Sequence, residues 1–254
     1  FHTETYLSRF GQVPVNMVLN HQPCRCLLST KKFSLWGDYE MHILVVDLLA
    51  ERIAFGRSGV KEILSHFLNP QVSLWSPHTT ERVDYGFGTV VESPVSCDLI
   101  IITGSKRNVS MWENWMDDVS RLIQTAEVPI IGICFGHQII AASLGGKVER
   151  ADENSAGVCE VHYNDGKVVN AVFTHQDHVV DAGELEVIAS AEHCKIAACR
   201  HPHRPILSVQ FHPEAVQSVL DDAIECGEMT PIERQQFDLS QDIINTKESL
   251  LAPL

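Results

Sequence analysis

Residues 128–146 read VPIIGICFGHQIIAASLGG, and the rest of the chain is best understood from this stretch. Positions 129–133 form a short apolar run with the length and β-branched content of a buried strand. Positions 139–144 form a second apolar run that stops at Gly145 and Gly146, as a helix does. Cys134 therefore stands where a strand becomes a helix, with Gly132 two residues before it and Gly136 two after. A side chain raised on so sharp a turn needs an unusual backbone at its own position and no Cβ on those neighbours, which is the physical content of a nucleophile elbow. A helix beginning beside the sulfur aims unpaired N–H groups and its positive dipole end at it, favouring thiolate over thiol. Taken alone, the stretch also admits a buried cysteine between two incidental glycines.

The flanking sequence extends the pattern. Positions 42–48 (HILVVDL), 72–75 and 98–103 (DLIIIT) read as buried strands, and 58–68 and 112–125 carry helical spacing. Strands that alternate with helices and are apolar on both faces predict an α/β fold. The expected architecture is a flavodoxin-like, mostly parallel sheet with helices on both faces. After Gly146 the texture changes: 147–150, 157–163, 168–174, 185–190, 195–200 and 206–211 are short strand-like segments separated by turns. They predict extra antiparallel strands in the C-terminal half, closed by helices over 215–226 and 233–244. Residues 1–40 show no sustained period and are set apart as an N-terminal extension of unknown role, with 41–254 as the domain proper.

Composition narrows the function classes. The chain has 254 residues, 44% of them hydrophobic, and a formal charge of −14. So acidic a surface repels phosphate backbones, so nucleic acid is not an expected partner. No apolar stretch reaches the roughly 20 residues of a membrane span, so no membrane partner is expected either. Eight cysteines at irregular spacing, with no C-x-x-C pair, read as reduced thiols in a cytoplasmic protein. Cys24 and Cys26 have no second pair to complete a metal site. His175 with His178, and His201 with His203, have spacings a metal could use, but nothing nearby in sequence completes either set. Neither metal nor cofactor is expected.

A cysteine nucleophile needs a base, and SVQFHPE at 208–214 offers one. His212 follows an apolar strand, Pro213 fixes an extended path, and Glu214 comes two residues on. In extended chain, residues two apart share a face, so the carboxylate can orient the imidazole and stabilise its charged form. Singly, such residues at a loop mouth are most often solvated polar groups. Together with the elbow they form a Cys134, His212, Glu214 set.

The two segments GICFGHQ (132–138) and QFHPE (210–214) resemble the signatures of class I glutamine amidotransferases, with TGS at 103–105, LGGKVER at 144–150 and THQDHV at 174–179 in agreement. The resemblance runs from about 42 to 214 and is nearest to GMP-synthetase-type domains and their stand-alone relatives, including γ-glutamyl peptidases. It implies cysteine-dependent cleavage of the glutamine amide, or of a γ-glutamyl amide, through a γ-glutamyl thioester. Cys134 would attack, His212 would move the proton and Glu214 would orient it. The N–H groups of Gly104 and Phe135 would hold the oxyanion, and Gln138, Gln176 and Asp177 would line the glutamate pocket. A separate synthetase subunit would receive the ammonia if it is transferred, since no nucleotide-binding signature lies in the chain. A stand-alone γ-glutamyl peptidase and a non-catalytic binding module with the same fold remain alternatives. Four departures from the family pattern stand out: Lys106 and Arg107 in the oxyanion loop, His137 where methionine or leucine is expected, and Ser208 where glycine is frequent.

Overall fold

A computed structural model describes residues 41–251, apart from 82, 238, 240 and 241. The N-terminal extension over 1–40, with Cys24 and Cys26, lies outside the described residues.

The first half of the chain alternates as its apolar runs require: β1 (His42–Val46), α1 (Ile53–Leu64), β2 (Gln71–Trp75), β3 (Thr89–Val91), β4 (Leu99–Ile102), α2 (Asn114–Thr125), β5 (Ile130–Ile133) and α3 (Phe135–Ser143). Then come β6 (Lys147–Tyr163), β7 (Val168–Asp181), β8 (Glu186–Ala191), β9 (Ala198–Arg200), β10 (Ile206–Val209), α4 (Gln217–Glu225) and α5 (Pro231–Arg234). One sheet takes all ten strands in the order β3-β2-β1-β4-β5-β10-β9-β8-β6-β7. The pairs β1–β2, β2–β3, β1–β4, β4–β5 and β5–β10 are parallel. The pairs from β10 outward are antiparallel. The fold is thus the flavodoxin-like, mostly parallel sheet with an antiparallel second half that the sequence predicts.

Alternation along the buried strands divides the core in two. Ile43, Val45, Ile101, Ile131 and Ile133 pack with Val60 and Ile63 of α1. Leu44, Val46, Ile100, Ile102 and Ile130 pack on the other face with Met116, Val119 and Ile123 of α2 and with α3. Both faces are covered, which is why these strands read as continuous apolar runs rather than alternating ones. No helix of the described residues is long and apolar enough to cross a membrane.

Two expectations need correction, and one strand went unread. The segments 147–150 and 157–163 belong to one irregular strand, β6, whose pairing with β7 shifts register between Arg150 and Ser155. The short β3 carries too few apolar residues to register as a strand. A helix over 233–244 does not form: α5 ends at Arg234, and Ile243 bridges to Asn170 of β7. Phe237 and Ile244 are buried there, so their apolar spacing reflects packing of non-helical chain rather than a helical stripe.

Candidate active site

The elbow is built from close backbone contacts. Cys134 has φ 53° and ψ −101°, a positive φ that non-glycine residues rarely adopt. A Cβ on Gly136 would collide with the carbonyl oxygen of Ile102, and one on Gly132 would lie 2.8 Å from the Gly136 backbone. Both glycines are therefore required by the turn. Cys134 N–H donates to Val209 O at 2.8 Å, pinning the elbow to β10, and the first intrahelical bond of α3 is Gln138 N–H to Cys134 O at 3.1 Å. The Phe135 N–H before it has no partner among the described residues, nor has that of Gly104. Unpaired donors of this kind are what a helix N-terminus offers an anion.

The sheet topology delivers the remaining groups. Gly104 follows β4, Cys134 follows β5, and His212 follows β10, so the carboxyl ends of three adjacent parallel strands meet at one edge. His212 N–H donates to Val172 O at 2.7 Å, which ties that loop to β7. His212 Nδ1 is 2.8 Å from Glu214 Oε1, and both side chains are buried. A Cβ on Gly104 would lie 3.0 Å from His212 Cε1 and 3.7 Å from Cys134 Cβ. Imidazole and cysteine thus pack against the same small patch of backbone, one that only glycine leaves open. Burial disfavours a charged ring, yet attraction to Cys134 and Glu214 outweighs it and holds His212 well above its ordinary 6.5. His212 Nε2 makes no well-formed hydrogen bond in this geometry, and the Cys134 thiol points instead to Thr174 O, 3.8 Å away. The thiol is near enough to the ring to raise it.

A cleft of about 380 Å³ opens over these groups and is lined by Cys134, Phe135, Gln138, Gln176, Asp177 and His212 among others. The polar lining is already engaged. Gln138 Nε2 donates to Asp177 O at 2.8 Å and to Gln210 Oε1 at 3.1 Å. The Asp177 carboxylate accepts from the Ser110 N–H at 2.8 Å and the Ser110 hydroxyl at 2.9 Å, so it braces the loop after β4. Gln176 Nε2 donates to Ala151 O, and its Oε1 accepts from Arg150. Ser110 carries no sequence signal of its own and Arg150 only its place at the end of LGGKVER; the folded chain brings both here.

The departures from the family pattern resolve into partners. Arg107 pairs with Glu51 through two nitrogens, at 2.6 and 3.2 Å, while Lys106 stays exposed at the cleft mouth. His137 is not on the helix surface. It is fully buried, with Nδ1 2.9 Å from Ser208 Oγ and Nε2 3.1 Å from Ile196 O. A carbonyl only accepts, so Nε2 carries the proton and Nδ1 accepts from the serine hydroxyl. Burial pushes the ring down to about 4 and keeps it neutral. The two departures at 137 and 208 are each other's hydrogen-bond partner.

Residues 71–226 match the model of a family described as glutamine amidotransferase class-I. One subunit of the glutamine-hydrolyzing GMP synthase from Methanocaldococcus jannaschii is 32% identical over 137 residues, covering 50% of this chain and 70% of that protein. The corresponding protein from Methanothermobacter thermautotrophicus is 36% identical over 101 residues, covering 36% of this chain and 54% of its own length. Among solved structures, a glutamine amidotransferase from Thermotoga maritima superposes with a TM-score of 0.62 at 16% identity, covering 78% of this chain and 86% of that one. One from Methylobacillus flagellatus gives 0.56 at 17% identity, covering 83% and 85%. At such identities the structural likeness speaks to the fold alone.

Proposed function

The chain belongs to the class I glutamine amidotransferase family, and on that footing we propose that it hydrolyses the side-chain amide of glutamine through a γ-glutamyl thioester on Cys134. The sulfur attacks the amide carbon while the oxygen, now carrying the negative charge, is received by the N–H groups of Gly104 and Phe135. His212 passes its proton to the leaving nitrogen, the carbon–nitrogen bond breaks, and ammonia departs. Water then adds to the thioester, giving its proton to His212, and glutamate and the free thiol are released. Glu214 holds the imidazole in the tautomer and orientation these transfers need. Gln138, Gln176 and Asp177 shape the glutamate pocket, Asp177 by bracing the Ser110 loop.

The observation that supports this most is the convergence of an unusual-φ cysteine, two unpaired N–H groups and a Glu-oriented buried imidazole at one sheet edge. The relatives named as GMP synthase subunits support ammonia transfer to a separate synthetase polypeptide. A second reading, a γ-glutamyl peptidase, is favoured by the cations at the cleft: Arg52, Lys106 and Arg150 line it, and Lys106 is exposed there. A γ-glutamyl dipeptide brings an extra carboxylate to such a rim; glutamine does not.

Glutamate release from glutamine and from a γ-glutamyl dipeptide, measured side by side, distinguishes the two. Turnover of glutamine, raised by a synthetase partner, supports the amidotransferase; turnover of the dipeptide with little glutamine cleavage supports the peptidase. Cys134→Ala must abolish both, and residual cleavage in that variant would remove the mechanism.

A further inference from the structure

Two histidines that this chemistry does not use meet a cysteine from a different part of the sheet. His175 and His178 lie three apart on β7, a spacing that on a regular strand sends side chains to opposite faces. The β6–β7 register breaks beside them, and the two rings meet with centroids 4.5 Å apart at 68°. Cys194 closes the turn after β8, where Ala191 and Cys194 exchange backbone hydrogen bonds of 2.7 and 3.2 Å. One donor atom from each of His175, His178 and Cys194 lies within 4.8 Å of the other two.

The cluster's hydrogen bonds leave one buried nitrogen bare, while the Cys194 thiol donates to Ile196 O at 3.4 Å, a proton that a bound cation displaces. His175 is 5% exposed, and its Nδ1 donates to Asp177 O at 3.0 Å. Because a carbonyl only accepts, the proton is on Nδ1 and the lone pair is on Nε2. That Nε2 is buried and has no hydrogen-bond partner. A ring tied to a backbone carbonyl through one nitrogen and bare at the other is the posture of a metal-ligating histidine. His178 is half-buried and leaves the cluster a path to solvent. In the same turn as Cys194, His193 has a buried Nε2 that is likewise unpartnered, and its ring centroid is 5.7 Å from that of His175.

We propose that His175, His178 and Cys194 form a binding site for one divalent ion of the zinc class, with the fourth position taken by water or by His193. Two imidazole nitrogens and a thiolate are the donors such an ion prefers over magnesium or calcium. The site adjoins the cleft without including its sulfur. Thr174, whose carbonyl faces the Cys134 thiol, precedes His175, and the Asp177 carbonyl that fixes His175 also accepts from Gln138. An ion bound here clamps the stretch of β7 that lines the cleft to the β8–β9 turn.

Zinc titrated into chelator-stripped full-length protein against a chromophoric competitor reads the stoichiometry. One zinc per chain is expected in the wild type and in Cys134→Ser, with affinity falling about tenfold or more in Cys194→Ser and in His178→Gln. Cobalt in place of zinc should give a near-ultraviolet thiolate charge-transfer band that Cys194→Ser removes and Cys134→Ser keeps. The half-buried His178 provides a variant that tests the site should Cys194→Ser not fold, as circular dichroism will tell. Absence of stoichiometric binding by the wild type would overturn the proposal. So would binding that Cys134→Ser abolishes and Cys194→Ser retains, since the ion would then sit on the cleft sulfur.

Discussion

His212 carries the charge balance of the cleft. The titratable groups acting on it are Cys134 and Glu214, which favour its charged form, while its own charge helps hold His175 down. A histidine held above its unfolded value of about 6.5 stabilises the fold fully below that pH, and the contribution fades as pH rises through the raised value. Glu214→Gln weakens the attraction, so it should lower the melting temperature most at pH 6 and progressively less in alkali. A gap that widens with pH would contradict this assignment of charge. The pair of His137 and Ser208 tests a different residue-scale point. His137→Met leaves a buried hydroxyl without its partner, and Ser208→Gly leaves a buried Nδ1 without its donor. Each should destabilise by about 1–3 kcal/mol, and the double variant by less than their sum, with a coupling of about 1 kcal/mol in urea unfolding. Strict additivity would mean that the bond contributes nothing.

At the scale of elements, the elbow was legible in advance because its demands are local. A turn that lifts Cys134 at φ 53° excludes a Cβ at 132 and 136, and GICFG states that requirement in five letters. Gly136→Ala should therefore force the strand–helix junction apart, cost about 1–3 kcal/mol, and slow alkylation of Cys134; an unchanged melting temperature would show that the turn has slack. The spacing of His212 and Glu214 was legible for the same reason. What escaped the sequence depends on partners far along the chain. Helix α1 has no capping side chain of its own at Arg52. Glu228 supplies it instead, accepting from Ala54 N–H at 2.8 Å and Phe55 N–H at 2.9 Å. Glu228→Ala should cost about 1–2 kcal/mol and raise amide exchange in the first turn of α1; protection equal to that of the wild type there would rule out the cap. The mistaken last helix has a related cause: Phe237 and Ile244 are buried by α4 and by β7, and periodicity cannot tell such packing from an amphipathic stripe.

For the molecule as a whole, the parallel half of the sheet is the positioning device. The strand order reverses between β1 and β4, where a ligand is expected, and the crevice extends from there over the carboxyl ends of β4, β5 and β10. The antiparallel half then bends its longest hairpin back, so that Thr174, Gln176 and Asp177 wall the same crevice. Pairing of β5 with β10 is also what joins His137 to Ser208, and the turn after β8 is what brings Cys194 to His175. No spacing along the chain encodes either meeting, which is why the histidine pair at 175 and 178 looked incomplete and the tie between His137 and Ser208 went unread. The central claim is that Cys134, alone of the eight cysteines, is the activated nucleophile of a glutamine-shaped cleft. Alkylation by a diazoketone analogue of glutamine, followed by peptide mapping, tests it most directly. A single adduct on Cys134 is expected, prevented by excess glutamine and strongly slowed in His212→Asn. Labelling spread over several thiols, or a Cys134 adduct indifferent to both glutamine and His212, would contradict it.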